Sequence, residues 1–514
     1  MILAASRSRR AWPALIALTL VLIGCPHPVR GQVGDTLAAP AAPAGARFVE
    51  ASDLDEDGDL DGEDLRLAFA RCGERPTPGG CVVSLLPATY HDIQLIVPPT
   101  VSELRGTGDA STLVGRIRGK VGPILRRRPS ERGHATRFVS FRIDGAKQQL
   151  AISPGTQHNC IRIGDKTRHR LTGGLIENVT CESVAKIGFF LEDAPGWTIR
   201  GNRVRYIGCW DATGTSQVPW RPNGIPAERM GCGAWGRRQP DEFNQPGRIT
   251  PGIGIEVTRN SHDVDIDSNL VQYFTKIGIQ GISSDGAGTG AHPRNGRIAN
   301  NTVEWGLTGI ALVRTRGWTV SDNVARDLSP AWMYGNVGKG FGCAHDGVGS
   351  RWLRNQAIRT GGVGFDIGCS CRPFLQDPGE KTCQLEATAN RTTDSCLRIG
   401  KALGAIDVQT KPSAPDERRA TGVVLSGNEV VRTRCDSAVN LRGFDDVRIG
   451  SEVSRLEAGE RFGLRARSAN DLVVHAPAFR GSGKGVALQI DAADAPARIE
   501  GRPTGTWGPG RKGR

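Results

Sequence analysis

Apolar residues in this chain fall in short alternating runs rather than in helical stripes. GFFLE at 188–192, GIEVT at 254–258, GIQGI at 278–282 and GIALV at 309–313 each open on Gly. Two further runs open at Gly342 (GCAHD) and Gly364 (GFDIG). A second mark accompanies them, an Asn three or four places past an apolar residue: Asn202, Asn269, Asn301, Asn323, Asn355, Asn390 and Asn428. Where the pattern is uninterrupted, Gly to Asn is 13–15 residues and Asn to the next Gly is 8–9, so the unit is 22–24 residues. Each unit predicts two or three short strands separated by turns. GWTIRGNRV at 196–204 returns as GWTVSDNVA at 317–325 because both are the same bend of different units.

One such unit cannot bury its apolar face alone, whereas stacking it on the next creates a continuous core. Period-two alternation sends one set of side chains inward and the other outward. Asn at a fixed place in every coil suits a tight bend, where it tolerates left-handed backbone and bonds its neighbours up and down the stack. The regular Leu positions of leucine-rich repeats are absent, and a propeller blade needs a longer period of about 40 residues. The pattern resembles the right-handed parallel β-helix of the pectate-lyase-like family. The entry segment CVVSLLPATYHDIQLIVPPTVSELRGTG at 81–108 is similar to that family's first coils. The expected fold class is therefore all-β, a right-handed parallel β-helix over residues 80–500.

Four shorter segments flank it. Arg7, Arg9 and Arg10 precede the apolar run 14–23, a signal peptide's charged and hydrophobic regions, and the run is too short to span a membrane. Its end, Leu22-Ile23-Gly24-Cys25, resembles a bacterial lipobox, which makes residues 1–24 a signal and Cys25 the lipid-bearing first residue. With Cys25 set aside, 12 of the 13 Cys remain, an even number that suits an exported, disulfide-bonded chain. Residues 25–48, rich in Ala, Pro and Gly, read as a flexible tether, and 501–514 as a basic disordered tail. The membrane contact expected is the lipid alone.

Residues 53–64, DLDEDGDLDGED, carry metal-ligand spacing. Asp53, Asp55 and Asp57 take loop positions one, three and five, and Gly58 the sharp turn. Asp59 offers a carbonyl, while Asp61 and Asp64 take positions nine and twelve. Hard Ca²⁺ wants six to eight oxygens, and this spacing wraps them round one ion. With the following helix, the stretch 49–74 resembles half of a dockerin. A full dockerin has two such loops, which argues against a cohesin partner here.

The period breaks over one face, where insertions become walls. Asn202 to Gly254 is 52 residues and Asn323 to Gly342 is 19, while Gly278–Asn301 and Gly364–Asn390 are also stretched. Loops on both sides of the Gly-strand sheet make a groove, the default place for a ligand. In the pectate-lyase-like enzymes this sheet carries the sugar. The walls hold Trp210, Trp220, Trp235, Trp332 and Tyr334, flat rings that stack on sugars. Counting outward places from each Gly puts Glu256, Gln280, Asp346 and Asp366 on the floor, with Arg259, Arg314 and His345 beside them. Paired carboxylates suit glycoside hydrolysis, and carboxylates with Ca²⁺ and a basic residue suit β-elimination on a uronate.

Net charge adds one constraint. The chain carries +13, mostly as scattered Arg, which favours an anionic polysaccharide and does not form the stripe of a nucleic-acid protein. His262-Asp263 occupies the bend of Gly196 and Gly317 and reads as a turn. Cys369, Cys371, Cys383 and Cys396 have metal-like spacing, but export favours disulfides; Cys72–Cys81, Cys160–Cys181 and Cys209–Cys232 are candidate pairs. The polygalacturonase and alginate-epimerase catalytic signatures are absent. The reading is a monomeric, exported, surface-anchored β-helix that binds a polysaccharide and cleaves it as a lyase or hydrolase. The competing reading is a non-catalytic adhesin or envelope scaffold.

Overall fold

Three strands make one coil. Ile187–Glu192 is followed by Trp197–Arg200 and Arg203–Ile207, and the chain returns to the start at Ile253–Thr258. Every partner is parallel and one coil away: Ile187–Glu192 pairs with Ile253–Thr258, Trp197–Arg200 with Asp265–Asp267, and Arg203–Ile207 with Leu270–Phe274. Repeating this builds a right-handed parallel β-helix. The computed structural model describes residues 43–119, 121–128, 135–150, 158–165, 172–210, 229, 249–250, 252–283, 291–328, 338–344, 348–367, 382–397, 404–409, 421–450, 453–455, 462–467, 470–475, 478–480, 486–491 and 498–500. Among these, one face is a 13-stranded parallel sheet running from Leu95–Val97 to Val486–Asp491. The other two faces join into one 26-stranded sheet through Thr136–Asp144, which pairs with both Gly174–Glu177 and Thr180–Glu182.

The glycines of the repeat have a steric cause. A Cβ built on Gly278 lies 2.2 Å from Val303 Cγ1 and 2.7 Å from the Gly309 carbonyl oxygen. Gly188, Gly254 and Gly309 meet the next coil's carbonyl in the same way, at 2.4, 2.5 and 2.4 Å. The fifth member of this column is Gly340, not Gly342: Thr308 pairs with Lys339 and Ala311 with Gly342. Counting from Gly342 therefore shifts that coil by two residues.

The Asn marks form a continuous ladder inside the wall. Asn202, Asn269, Asn301, Asn323, Asn355, Asn390 and Asn428 are all at most 2% exposed. Asn269 donates from both its backbone N and Nδ2 to Asn301 Oδ1, at 2.9 Å each, and Asn301 does the same to Asn323 Oδ1. The stacking bonds are as expected, but the left-handed backbone belongs to the preceding residue. Ser268, Asn300, Asp322 and Arg354 have φ of 56, 56, 58 and 53°, and the ladder Asn do not. The bend is thus made by one residue and tied by the next.

Large side chains fill what the coils enclose. Trp197 and Trp318 are wholly buried, each lying where Gly174 and Gly296 leave no Cβ in the way. Gly196, Asp263, Asn295 and Gly317 share the positive-φ bend before them, so His262-Asp263 is a turn. Arg127, the middle residue of the run Arg126-Arg127-Arg128, is 1% exposed and donates from Nε to Thr136 Oγ1 at 2.7 Å.

The acidic loop and its helix close the first coil. Arg47–Ala51 pairs in parallel with Cys81–Leu85, and Leu65, Ala68, Phe69 and Cys72 of the helix Gly62–Glu74 belong to the same apolar core as the coils. Burying the helix there covers core that the first coil would otherwise present to water. Cys72–Cys81, Cys160–Cys181 and Cys396–Cys435 are disulfides. Cys209 and Cys343 are also disulfide-bonded. Cys396 is thereby removed from any zinc set.

Candidate functional site

The 13-stranded sheet sets the floor in register. Phe190, Glu256, Gln280, Ala311, Gly342, Asp366, Asp407, Asn440 and Arg465 follow one another in a single outward column. Strand spacing is about 4.8 Å, so Glu256 and Asp366, four strands apart, are separated by roughly 19 Å. Paired carboxylates in glycoside hydrolysis stand at most about 9.5 Å apart. Glu256 and Asp366 therefore cannot act on one bond. The place between them that the counted pattern gave to Ala344 is held by Gly342, and the next outward place, counted as Asp346 beside Val313, is held by Ala344. Asp346 and His345 lie outside the described residues.

What stands next to Asp366 is Asp407. Two carboxylates on adjacent strands in the same register lie about one strand spacing apart. Their surroundings differ. Lys339 of the neighbouring coil makes an ion pair with Asp366, which keeps a quarter of its side chain exposed. Asp407 is 1% exposed, and Asn440 Nδ2 donates to its Oδ1 at 2.8 Å while Gln409 donates to its Oδ2. Burial, and secondarily the charge of Asp366, push the Asp407 carboxyl up to about 7, against the lowering effect of Asn440, Gln409 and Lys339. One acid is thus held by an ammonium and its neighbour is poised to keep a proton near neutrality, the arrangement that separates base from acid.

Sequence counting missed Asp407, Asn440 and Lys339. The run GAIDVQ at 404–409 alternates correctly, but its Gly is one place early and Ala405 fills the glycine column. Asn440 sits in SAVNLR, which has no Gly. Alternation without the glycine mark was the available signal.

The other expected residues divide. Gln280 is on the floor, 2% exposed, and its Oε1 has no hydrogen-bond partner. Glu256 lies beside it, 8% exposed. Arg259 is at the rim, 3.2 Å from Asp193 and 3.8 Å from Glu192, so its charge is committed to the bend. Arg314 occupies a positive-φ bend on the same edge, at φ 53°. Trp210 is placed only by its strand's antiparallel pairing with Ile249. Trp220, Trp235, Trp332, Tyr334 and Cys25 lie outside the described residues.

In the acidic loop, the carboxylates of Asp53, Asp55 and Asp57 come within 4.8 Å of one another. Gly58 takes φ 90° and Leu60 packs against the core, as a wrapped loop requires. Asp59 donates its backbone N to Asp57 Oδ1 at 2.9 Å. Asp61 caps the helix, and Asp64, wholly buried, accepts from the backbone N of Leu54 and Asp61. The first three Asp are therefore the ones that fit a hard cation, with Asp61 and Asp64 shaping the loop.

No family model and no curated protein matches the chain. Solved structures do. The A-module of an Azotobacter vinelandii mannuronan C-5 epimerase is 13% identical, with a TM-score of 0.46, covering 90% of this chain and 100% of that one. The catalytic unit of a Streptomyces thermodiastaticus α-1,3-glucanase is 13% identical, with a TM-score of 0.45, covering 91% and 70%. The Streptococcus pneumoniae surface protein and adhesin PfbA is 11% identical, with a TM-score of 0.43, covering 87% and 97%. An epimerase, a glucanase and an adhesin share no activity, so these likenesses select none.

Proposed function

We propose that this chain is an exported polysaccharide hydrolase whose 13-stranded sheet carries the sugar and whose Asp366–Asp407 pair cleaves it. The supporting observation is the pair itself: adjacent carboxylates, one against Lys339 and one buried with a pKa of about 7. Asp407 gives its proton to the glycosidic oxygen as that bond breaks, and the Asp366 carboxylate attacks the anomeric carbon. Asp407, now a base, takes a proton from the water that displaces Asp366. Strand spacing matches the roughly 5–5.5 Å of this two-step route better than the wider separation of single displacement. The net charge of +13 and Lys339 at the pair favour an anionic unit at the cleavage point.

The disulfides support an oxidising compartment, consistent with a signal over 1–24 and a lipid on Cys25. Ca²⁺ at Asp53, Asp55 and Asp57 belongs to the same reading, as a clamp on the helix that closes the coils.

The test is a panel of polyuronates and neutral glycans, with and without Ca²⁺, recording reducing ends and ultraviolet absorbance. Reducing ends without absorbance support a hydrolase. Absorbance with reducing ends makes it a lyase. Binding with silence on the whole panel makes it the adhesin or scaffold.

A further inference from the structure

One strand from the acid pair, the floor changes character. Ala311 and Gly342 leave a low stretch, since a Cβ on Gly342 meets nothing nearer than Thr308 Cγ2 at 3.7 Å. Beyond that trough stands Gln280, about 14 Å from Asp366. Its side chain points outward from a strand whose Ile279 is wholly in the core. It is 2% exposed, yet the structure gives its amide oxygen no partner. A buried amide left unpaired costs about 1–3 kcal/mol, so such groups in folded proteins have a partner to meet. The neighbour in register is Glu256, a carboxylate.

We infer that Gln280, with Glu256 beside it, is a second sugar subsite that accepts an uncharged, hydroxyl-bearing unit of the chain cleaved at Asp366–Asp407. A hydroxyl both donates and accepts, so it satisfies an amide in either orientation. A carboxylate or sulfate placed there is buried against a neutral amide, which does not offset the cost of taking a charge out of water. Each strand spacing is about the length of one sugar ring, so a chain must reach several units along the groove to touch both places. Short oligomers reach one end only. The inference rests on the reading of this sheet as the sugar-bearing face, and it is read by binding rather than by turnover.

The experiment is titration calorimetry of the whole protein with defined ladders, dimer to octamer, of α-1,3-gluco-oligosaccharides, chito-oligosaccharides and oligogalacturonates. Hexamers of an uncharged ladder are expected to bind about tenfold more tightly than trimers. Gln280→Met is expected to bring the hexamer down to the trimer's affinity. Gln280→Glu keeps the shape, adds a charge beside Glu256 and is expected to do the same. A step that survives both variants, an equal step for oligogalacturonate, or no binding by any ladder overturns the inference. Undiminished hydrolysis in Asp366→Asn with the hexamer step intact would sink the proposed reaction while leaving this subsite standing.

Discussion

Asp366 and Asp407 occupy the same register place on adjacent coils, but only Asp366 meets a cation directly. Asp407 is enclosed by Asn440 and Gln409. If the pair is chemical, Asp366→Asn and Asp407→Asn each lower turnover by about 10²–10⁴ with little change in hexamer binding. Asp407 works as a proton donor, so activity falls as pH rises through about 7. Stability follows the same group. Its folded pKa is raised above the ordinary 3.8, so its contribution is complete below about 4 and is lost as pH rises to about 7. Denaturant midpoints across that window should fall in the native protein and fall less in Asp407→Asn. Parallel curves for the two proteins would show that Asp407 ionises as an ordinary surface acid.

Gly340 and Gly342, both on the strand Lys339–Ala344, separate structure from function. Gly278→Ala drives a Cβ into Val303 and the Gly309 carbonyl, and Gly340→Ala does the same against Gly364. Each is expected to lose about 1–3 kcal/mol or more, by urea titration. Gly342→Ala has room and should change stability by less than about 0.5 kcal/mol. Equal losses at Gly340 and Gly342 would return the column to the register counted from sequence alone.

That pair also shows what was legible beforehand. Gly followed by alternation identifies the coil, because the glycine column is a steric demand that every regular coil repeats. It misplaces one coil because KGFGCA at 339–344 offers two glycines, and only contact with the next coil distinguishes them. It passes over Asp407 because Ala405 replaces the glycine there. The ladder Asn were legible as a column, since each side chain bonds to the like residue one coil away as well as to backbone carbonyls. The partition between Asp366 and Asp407 was not legible. It depends on Lys339, Gln409 and Asn440, which three different coils bring together.

Within the ladder, Asn301 donates from Nδ2 to the carbonyls of Ile266 and Ala299 and to Asn323 Oδ1, and accepts from two groups of Asn269. Asn301→Ala strands several buried polar groups and is expected to cost about 3 kcal/mol. Asn300→Gly, one residue earlier at φ 56°, keeps the bend and should be nearly neutral. Thermal unfolding of both variants checks the difference. Similar losses would place the bend, rather than the ladder, in control.

Calcium should act through the end of the solenoid. If Asp53, Asp55 and Asp57 hold the ion, Ca²⁺ raises the unfolding temperature by mass action, and Asp55→Asn with Asp57→Asn removes the shift. Calorimetry in chelator-treated buffer gives the binding heat independently. Absence of both heat and shift would reduce the loop to a helix cap built on Asp61 and Asp64.

Lys147 ties the root of the long insertion to an earlier coil. It is wholly buried, and its Nζ donates to the carbonyls of Tyr206 and Gly208, each at 2.6 Å. Burial pulls its pKa down to about 7, opposed by Asp144, and His158 beside it is driven down to about 3 by burial and by Lys147. The unfolded chain therefore binds one more proton than the folded chain between about 7 and the ordinary lysine range near 10.4. Stability from this group rises with pH across that window and is flat below it. Urea midpoints of the native protein minus those of Lys147→Met should show this rise, because the other titrating groups are common to both. A flat difference would mean that the amine keeps its charge in the fold, with the two carbonyls alone offsetting its burial.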